Sequence, residues 1–348
     1  MATAWFVLLG FMLIVYVVLD GFDLGTGALH LFVARSDEDR RTTLAAIGPV
    51  WNGNEVWLIA AGGLLVFAFP RVYAVAFSGF YLPLMLVLWL LILRGVAIEL
   101  RSQQANPLWR QFFDLTFALS SAVLALVLGV ALGNVLRGVP IDATGYFAAP
   151  LFTNFGLGGE LGAIDWYTLS VGIFALVVLA AHGAMFLRWK TGGVVNLRST
   201  RMARWMWTIA IVLAIVVTIE TTYVNPALLS NLAARPALWI VPFVLLAAWV
   251  GVFVALARGK ELAGFLASSV VIAGLLGMTA GALYPMLLRS TIDPAFSLNV
   301  AGSANSPRGL ATGLVWWIPA VVLAFAYFGY LFYSFRAKVV LDDDNHGS

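Results

Sequence analysis

The sequence predicts an all-α integral membrane protein with nine transmembrane helices, its N-terminus outside and its C-terminus inside. Three observations carry this. Hydrophobic residues make up 62% of the 348 and charged residues only 11%, where a soluble domain carries about 25% charge. Mean hydropathy is +0.95, and apolar runs of roughly 20 residues recur along the chain, the length that crosses a bilayer as a helix. The runs are continuous, whereas a membrane β-barrel alternates over segments of ~10 residues. Helices are then required, because backbone groups facing lipid must be paired within their own segment.

The spans fall at approximately 4–32, 45–69, 73–99, 113–136, 165–188, 204–228, 236–257, 262–288 and 310–335. The first has no basic residue ahead of it and runs past Leu19 to about Phe32. It is too long and wrongly flanked for a cleaved signal peptide. With the N-terminus outside, 15 of the 20 Lys and Arg fall on inner segments, and only Arg71, Arg137, Arg235, Arg289 and Arg308 fall outside. That bias sets the orientation. Spans one to four and five to eight group as two four-helix sets, with span nine left over. Residues 1–341 read as one transmembrane domain and 342–348 as an acidic, solvated tail. The outer segments 137–160 and 289–309 are long and rich in Gly, Pro, Asn and Ser. Loops of that length are commonly functional or interface-forming, with an ordered cap over helix ends as the plainer alternative.

Ionisable residues inside the spans gather at one depth. Span one carries Asp20 and Asp23, one turn apart on one helix face. Span two returns outward with Trp51, Asn52, Glu55 and Trp57. The intervening turn centres near Glu38, 15 residues after Asp23 and 14 before Asn52, so the two polar groups share a level in an antiparallel hairpin. Arg94 lies ~30 Å along span three, at about 1.5 Å per residue, with Glu99 just below. His182 sits at a comparable rise on span five. Charges at this depth do not face lipid; they pair or line a hydrated cavity. Two readings stay open: a proton path from the inner side, or a static ion-pair cluster that fixes helix packing or a subunit interface. Arg94 and Glu99 lie close enough to the helix end to snorkel. Glu220 stands apart in the outer half of span six, beside Thr221, Thr222 and Tyr223. It suits either an outward route or a hydroxyl-bonded carboxylate at a helix interface.

Other chemistry is sparse. Cysteine is absent, which removes disulfides, thiolate metal sites and iron–sulfur clusters. The histidines are His30, His182 and His346. His30, at the inner end of span one, reads as a helix-end imidazole near water, and His182 as a hydrogen-bonded core residue before a haem ligand. Asp20 and Asp23 lack the further oxygen ligands of a divalent metal site, so no metal is expected. The glycines at 21–27 and at Gly62 and Gly63 suit close helix packing. Nothing points to nucleic acid.

Several segments, in order along nearly the whole chain, resemble subunit II of the cytochrome bd quinol oxidases. They are Asp20-Gly-Phe-Asp-Leu-Gly-Thr-Gly27, residues 48–59, Leu93-Arg-Gly-Val-Ala-Ile-Glu-Leu-Arg101 and Trp109-Arg-Gln-Phe-Phe-Asp114. Further on come Leu128 to Pro140, His182-Gly-Ala-Met-Phe-Leu with Lys190-Thr-Gly-Gly193, and Leu283-Tyr-Pro285 leading to Ser297-Leu-Asn-Val.

The resemblance implies two four-helix bundles plus one peripheral helix in a bacterial inner membrane, with the N-terminus periplasmic and the C-terminus cytoplasmic. It implies a heterodimer that oxidises quinol and reduces dioxygen to water. The haems, b and d, and the quinol site belong to the haem-bearing partner, subunit I. Subunit II carries no haem ligand, supports its partner, contributes part of a proton path from the cytoplasm, and can hold a structural quinone as a lipid-like filler. A small accessory subunit is compatible with the family. Carried over, the pathway positions are Asp20, Asp23, Trp51, Glu55 and Trp57. Where the family typically has Trp-Asp-Gly-Asn, this chain has Trp51-Asn52-Gly53-Asn54. Asn52 exchanges hydrogen bonds but releases no proton near neutral pH. The Asn-Pro expected after the outer loop reads Asn154-Phe155. The rival classes are a purely structural assembly subunit and an ion-coupled membrane transporter.

Overall fold

A computed structural model describes residues 1–157 and 160–340; the acidic tail at 342–348 lies outside them. The chain is built from helices. They are α1 (Ala2–Val33), α2 (Asp37–Ile47), α3 (Trp51–Ala68), α4 (Pro70–Gly79), α5 (Tyr81–Leu100), α6 (Pro107–Arg137), α7 (Trp166–Lys190) and α8 (Gly193–Val224). They continue with α9 (Ala227–Ala233), α10 (Ile240–Ala257), α11 (Glu261–Leu283), α12 (Val300–Ser303) and α13 (Pro307–Ser334). Two short antiparallel strands, β1 (Met286–Leu288) and β2 (Leu298–Asn299), lie between α11 and α12. Among the described residues, eight helices are long and apolar enough to cross a membrane. The 18-residue α3 is apolar from Val56 onward but polar in its first turns.

Helix ends follow local chemistry. Asn106 caps α6 ahead of Pro107, Ser306 caps α13 ahead of Pro307, and Asp165 forms a capping box with Thr168 on α7, each satisfying amide donors the first turn leaves open. Four expected spans differ most from the structure, while that at 113–136 begins six residues earlier, at Pro107. The span at 45–69 is divided by the Gly48-Pro49-Val50 turn, which separates α2 from α3. The span at 73–99 is two helices, α4 and α5, broken at Phe80; α4 is itself set off from α3 at Phe69, whose helical conformation Pro70 disfavours. The span at 204–228 begins eleven residues earlier, at Gly193, and stops at Val224 before Asn225-Pro226. The span at 262–288 ends at Leu283 ahead of Pro285, and Met286–Leu288 pairs as a strand.

The connections gather in two sets. In one, Arg198 pairs with Asp39 at 2.8 Å, Arg101 with Asp37 at 2.8 Å and Lys338 with Glu261 at 2.8 Å, and the Val339 amide donates to the Lys190 carbonyl at 2.8 Å. In the other, Val139 N–H donates to Arg289 O at 2.9 Å and Asn305 N–H to Ala68 O at 2.9 Å, while Arg137 pairs with Asp165. Between them, α1 packs against α3, α6, α7 and α11. Its crossing with α7 is a backbone contact: a Cβ built on Gly25 would overlap Leu179 and Gly183, and one on Gly183 would overlap Gly25 and Thr26. Small residues at such a crossing let helix axes approach closely.

Candidate functional site

The α1 stripe Tyr16, Asp20, Asp23 is buried because those positions recur at helical spacing on the face covered by neighbouring helices. Arg94, on α5 and wholly buried, donates Nη2 to Asp20 Oδ1 at 2.7 Å and, with the same nitrogen, to Glu55 on α3. Asp23 Oδ2 accepts from Asn54 Nδ2 at 2.7 Å. The Trp51 indole lies against Gly95 of α5, and Trp57 packs on Phe325 and Phe328 of α13. Four helices, α1, α3, α5 and α13, therefore enclose three carboxylates and one guanidinium.

Many polar atoms here have no protein partner: Tyr16 Oη, Asp20 Oδ2, Asp23 Oδ1, Asn54 Oδ1, Trp57 Nε1, and Nε and Nη1 of Arg94. Buried polar groups are almost always hydrogen-bonded, and where protein does not serve them, ordered water does. The cluster has the chemistry of a hydrated pocket. Glu55 is its edge, with 22% of its side chain exposed. It shares an outer face of α3 with the exposed Asn52, Val56 and Ile59.

The remaining candidates lie elsewhere. Asn52 points away from the cluster, and Asn54 makes the contact to Asp23. Glu99 is exposed. His182 is fully buried on α7, on the other side of α1, with Nε2 to the Val18 carbonyl at 3.0 Å and Nδ1 to Ser268 Oγ at 2.7 Å. Glu220 is half-buried and accepts from Ser170 Oγ at 3.2 Å, apart from the cluster.

A second buried network went unread in the sequence. Asp114 on α6 accepts from Arg101 Nε at 2.6 Å and Arg40 Nη1 at 2.9 Å, and pairs with His30 Nε2 at 2.8 Å. His30 Nδ1 meets Thr43 Oγ1 at 2.9 Å. His30 is not a water-facing helix end: it is fully buried, because α2 folds back over the end of α1. The clue was Asp114 itself, a lone acid in an apolar run. With both ring nitrogens of His30 and of His182 engaged by protein groups, neither side chain fits as an axial haem ligand in this conformation.

A cleft of about 460 Å³ lies between α1, α6, α7 and α11, lined by Leu13, Tyr16, Gly129, Ala175 and Leu276 among others, with Thr279 one of its few polar members.

Long apolar helices wrapped around an ion-paired, partner-poor interior define a polytopic helical membrane protein. The chain belongs to the cytochrome bd terminal oxidase subunit II family, whose model matches residues 1–335, and it is a multi-pass protein of the bacterial inner membrane. It is 30% identical to cytochrome bd-I ubiquinol oxidase subunit 2 of Escherichia coli K12, over 97% of this chain and 95% of that one. It is 34% identical to the probable cytochrome oxidase subunit 2 of Haemophilus influenzae, over 93% and 91%. The bd oxidase structure from Geobacillus thermodenitrificans superimposes with a TM-score of 0.68 at 19% identity, covering 94% of this chain and 98% of that one, a likeness of fold.

Proposed function

We propose that this chain is the non-haem subunit of a quinol:dioxygen oxidoreductase, that it supports a haem-bearing subunit I, and that it carries part of that enzyme's proton path from the cytoplasm. The observation behind the path is the buried cluster of Asp20, Asp23, Glu55 and Arg94 with its unpartnered polar atoms. Haems b and d in the partner would supply the dioxygen chemistry, which consumes protons. Here, Arg94 holds two carboxylates with one guanidinium nitrogen, leaving Asp20 Oδ2 and Asp23 Oδ1 free to exchange protons with water. Asn54 fixes the other oxygen of Asp23. Glu55, at the exposed edge of α3, is the group from which a proton leaves the chain, toward a partner seated on the Asn52, Val56, Ile59 face.

The same reading takes nine crossings, with α3 the ninth, and an N-terminus in the periplasm. The two opposed sets of connections support it: the basic segments meet at one end and the long Gly- and Asn-rich loops at the other. Contacts among α1, α3, α5 and α6, and among α7, α8, α10 and α11, support two four-helix bundles with α13 beside them. The apolar cleft suits the isoprenoid chain of a structural quinone.

The test is the purified complex. A haem-bearing partner and its absorption spectrum must accompany this chain, which an ion-coupled transporter would not require. Glu55→Gln must then slow oxygen uptake per haem. Unchanged uptake per haem, with haem content lowered, would leave a purely structural subunit.

A further inference from the structure

From the cluster around Arg94, polar and small residues continue along a seam between α1 and α6. The α1 stripe Tyr16, Asp20, Asp23 continues at the same spacing to Gly27 and His30. Gly27 has no side chain, and the Ser121 hydroxyl of α6 occupies the place a Cβ there would take. Ser121 Oγ and the neighbouring Thr26 Oγ1 are both buried and both without a protein partner. Along α6, Asp114, Phe117 and Ser121 share one face, and Phe117 sets its ring edge-on to His30 at 5.2 Å. Two unserved hydroxyls thus stand between Asp23 and His30, about one helical turn from each.

His30 is built to change protonation in place. The groups facing it are Asp114 from α6, Arg40 and Thr43 from α2, and Arg101 at the end of α5, which reaches it through Asp114. In the neutral ring, Nε2–H donates to Asp114 and Nδ1 accepts from the Thr43 hydroxyl. That hydroxyl also lies 2.9 Å from the Arg40 carbonyl. When it turns to donate there, its oxygen accepts from a protonated Nδ1. One hydroxyl rotation therefore serves both ring states, with no hydrogen bond lost.

We infer that the α1–α6 seam is the cytoplasmic limb of the proton path, with His30 as its first internal carrier and the Thr26 and Ser121 hydroxyls as the bridge to Asp23. This rests on the proton-path reading above. One proton arrives at Nδ1. The Nε2 proton passes to Asp114 Oδ1, which it already faces, and from there to water beside Ser121; the ring, neutral with its hydrogen on Nδ1, then turns over to restore its first tautomer. The water passes the proton along the two hydroxyls to Asp23, which it reaches as a proton on the carboxylate.

The test uses the intact complex and four variants: His30→Gln, Ser121→Ala, and the pair Thr26→Val and Thr26→Ser. Oxygen uptake, its pH profile, its solvent deuterium isotope effect and haem content are measured beside Glu55→Gln. The expected result is a several-fold lower rate and a larger isotope effect for His30→Gln, Ser121→Ala and Thr26→Val at unchanged haem content. Thr26→Ser, which keeps the hydroxyl, should restore the rate, and His30→Gln should flatten the acid limb of the profile. If Glu55→Gln slows uptake while the seam variants do not, the seam is wrong and the path stands. Rates that fall only in proportion to haem make the seam a packing element and overturn the inference. If neither Glu55→Gln nor the seam variants slow uptake, the path itself falls with it.

Discussion

Arg94 Nη2 donates to Asp20 at 2.7 Å and to Glu55 as well, so one nitrogen ties α5 to both α1 and α3. Neither Arg94 nor Asp20 touches solvent. Removing one partner of a buried pair strands the other charge, at a cost on the order of 3–5 kcal/mol. Arg94→Leu should therefore lower the unfolding temperature of the purified complex markedly. Adding Asp20→Leu should recover part of that loss, because it removes the wholly buried stranded carboxylate and leaves only Glu55, which reaches the edge of the cluster. A double variant no more stable than Arg94→Leu alone would mean that the pair does not act as a unit.

Glu55→Gln keeps the size and hydrogen bonding of the side chain but removes its exchangeable proton near neutral pH. It should slow oxygen uptake without removing haem. Asn54→Leu should act in the same direction by releasing Asp23 from its 2.7 Å contact. Asn52→Asp should be tolerated, since position 52 lies outside the Arg94 cluster, on the side proposed to meet the partner, where the family pattern Trp-Asp-Gly-Asn places an Asp. Uptake rates normalised to haem content separate the three.

Depth was legible in the sequence and rotation about each helix was not. Counting from the turn near Glu38 placed the start of α3 level with Asp23, and the contact between Asn54 and Asp23 lies there. Yet the buried positions of α3 run Trp51, Asn54, Trp57, Ala61, a helical stripe that leaves Asn52 outside. Glu99 follows Arg94 by five residues, about 140° around the helix from it at 3.6 residues per turn, and so leaves the cluster. His182 is on the far side of α1. The second network escaped because its members come from α1, α2, α5 and α6, and long-range partners of Asp114 leave no local spacing to read.

Gly25 and Gly183 bring the backbones of α1 and α7 into contact, so each is expected to resist any side chain. Gly25→Ala or Gly183→Ala forces the helices apart, and overpacking of this kind costs about 1–3 kcal/mol. The yield of intact complex from membranes and its melting temperature should both drop. The control is Gly62→Ala, where a Cβ meets nothing within 4 Å, and it should behave as the parent.

Asp39 lies outside the membrane spans, in the first turn of α2. Burial draws its carboxyl upward. The amides of Arg35 and Ser36 and the Arg198 guanidinium outweigh that and hold it below the usual carboxylate range. A carboxylate favoured in the folded state contributes stability above its unfolded value of about 3.9, and the contribution is lost as pH falls through the lower folded value. Asp39→Asn should melt below the parent at neutral pH, with the gap closing on acidification below about pH 4. A gap that widens there would reverse the sign assigned to Asp39.

The cleft between α1, α6, α7 and α11 is almost wholly apolar and about 460 Å³ in volume, within the range of ligand pockets at roughly 300–1,000 Å³. A polyisoprenoid chain is already out of water in the bilayer, so what would hold it there is close packing against the apolar lining, many small dispersion contacts rather than release from water. Leu276→Trp pushes an indole into this volume. Organic extracts of the purified complex, quantified by mass spectrometry against haem, should then contain less quinone than the parent. Equal quinone content in parent and Leu276→Trp would place any bound quinone outside this cleft.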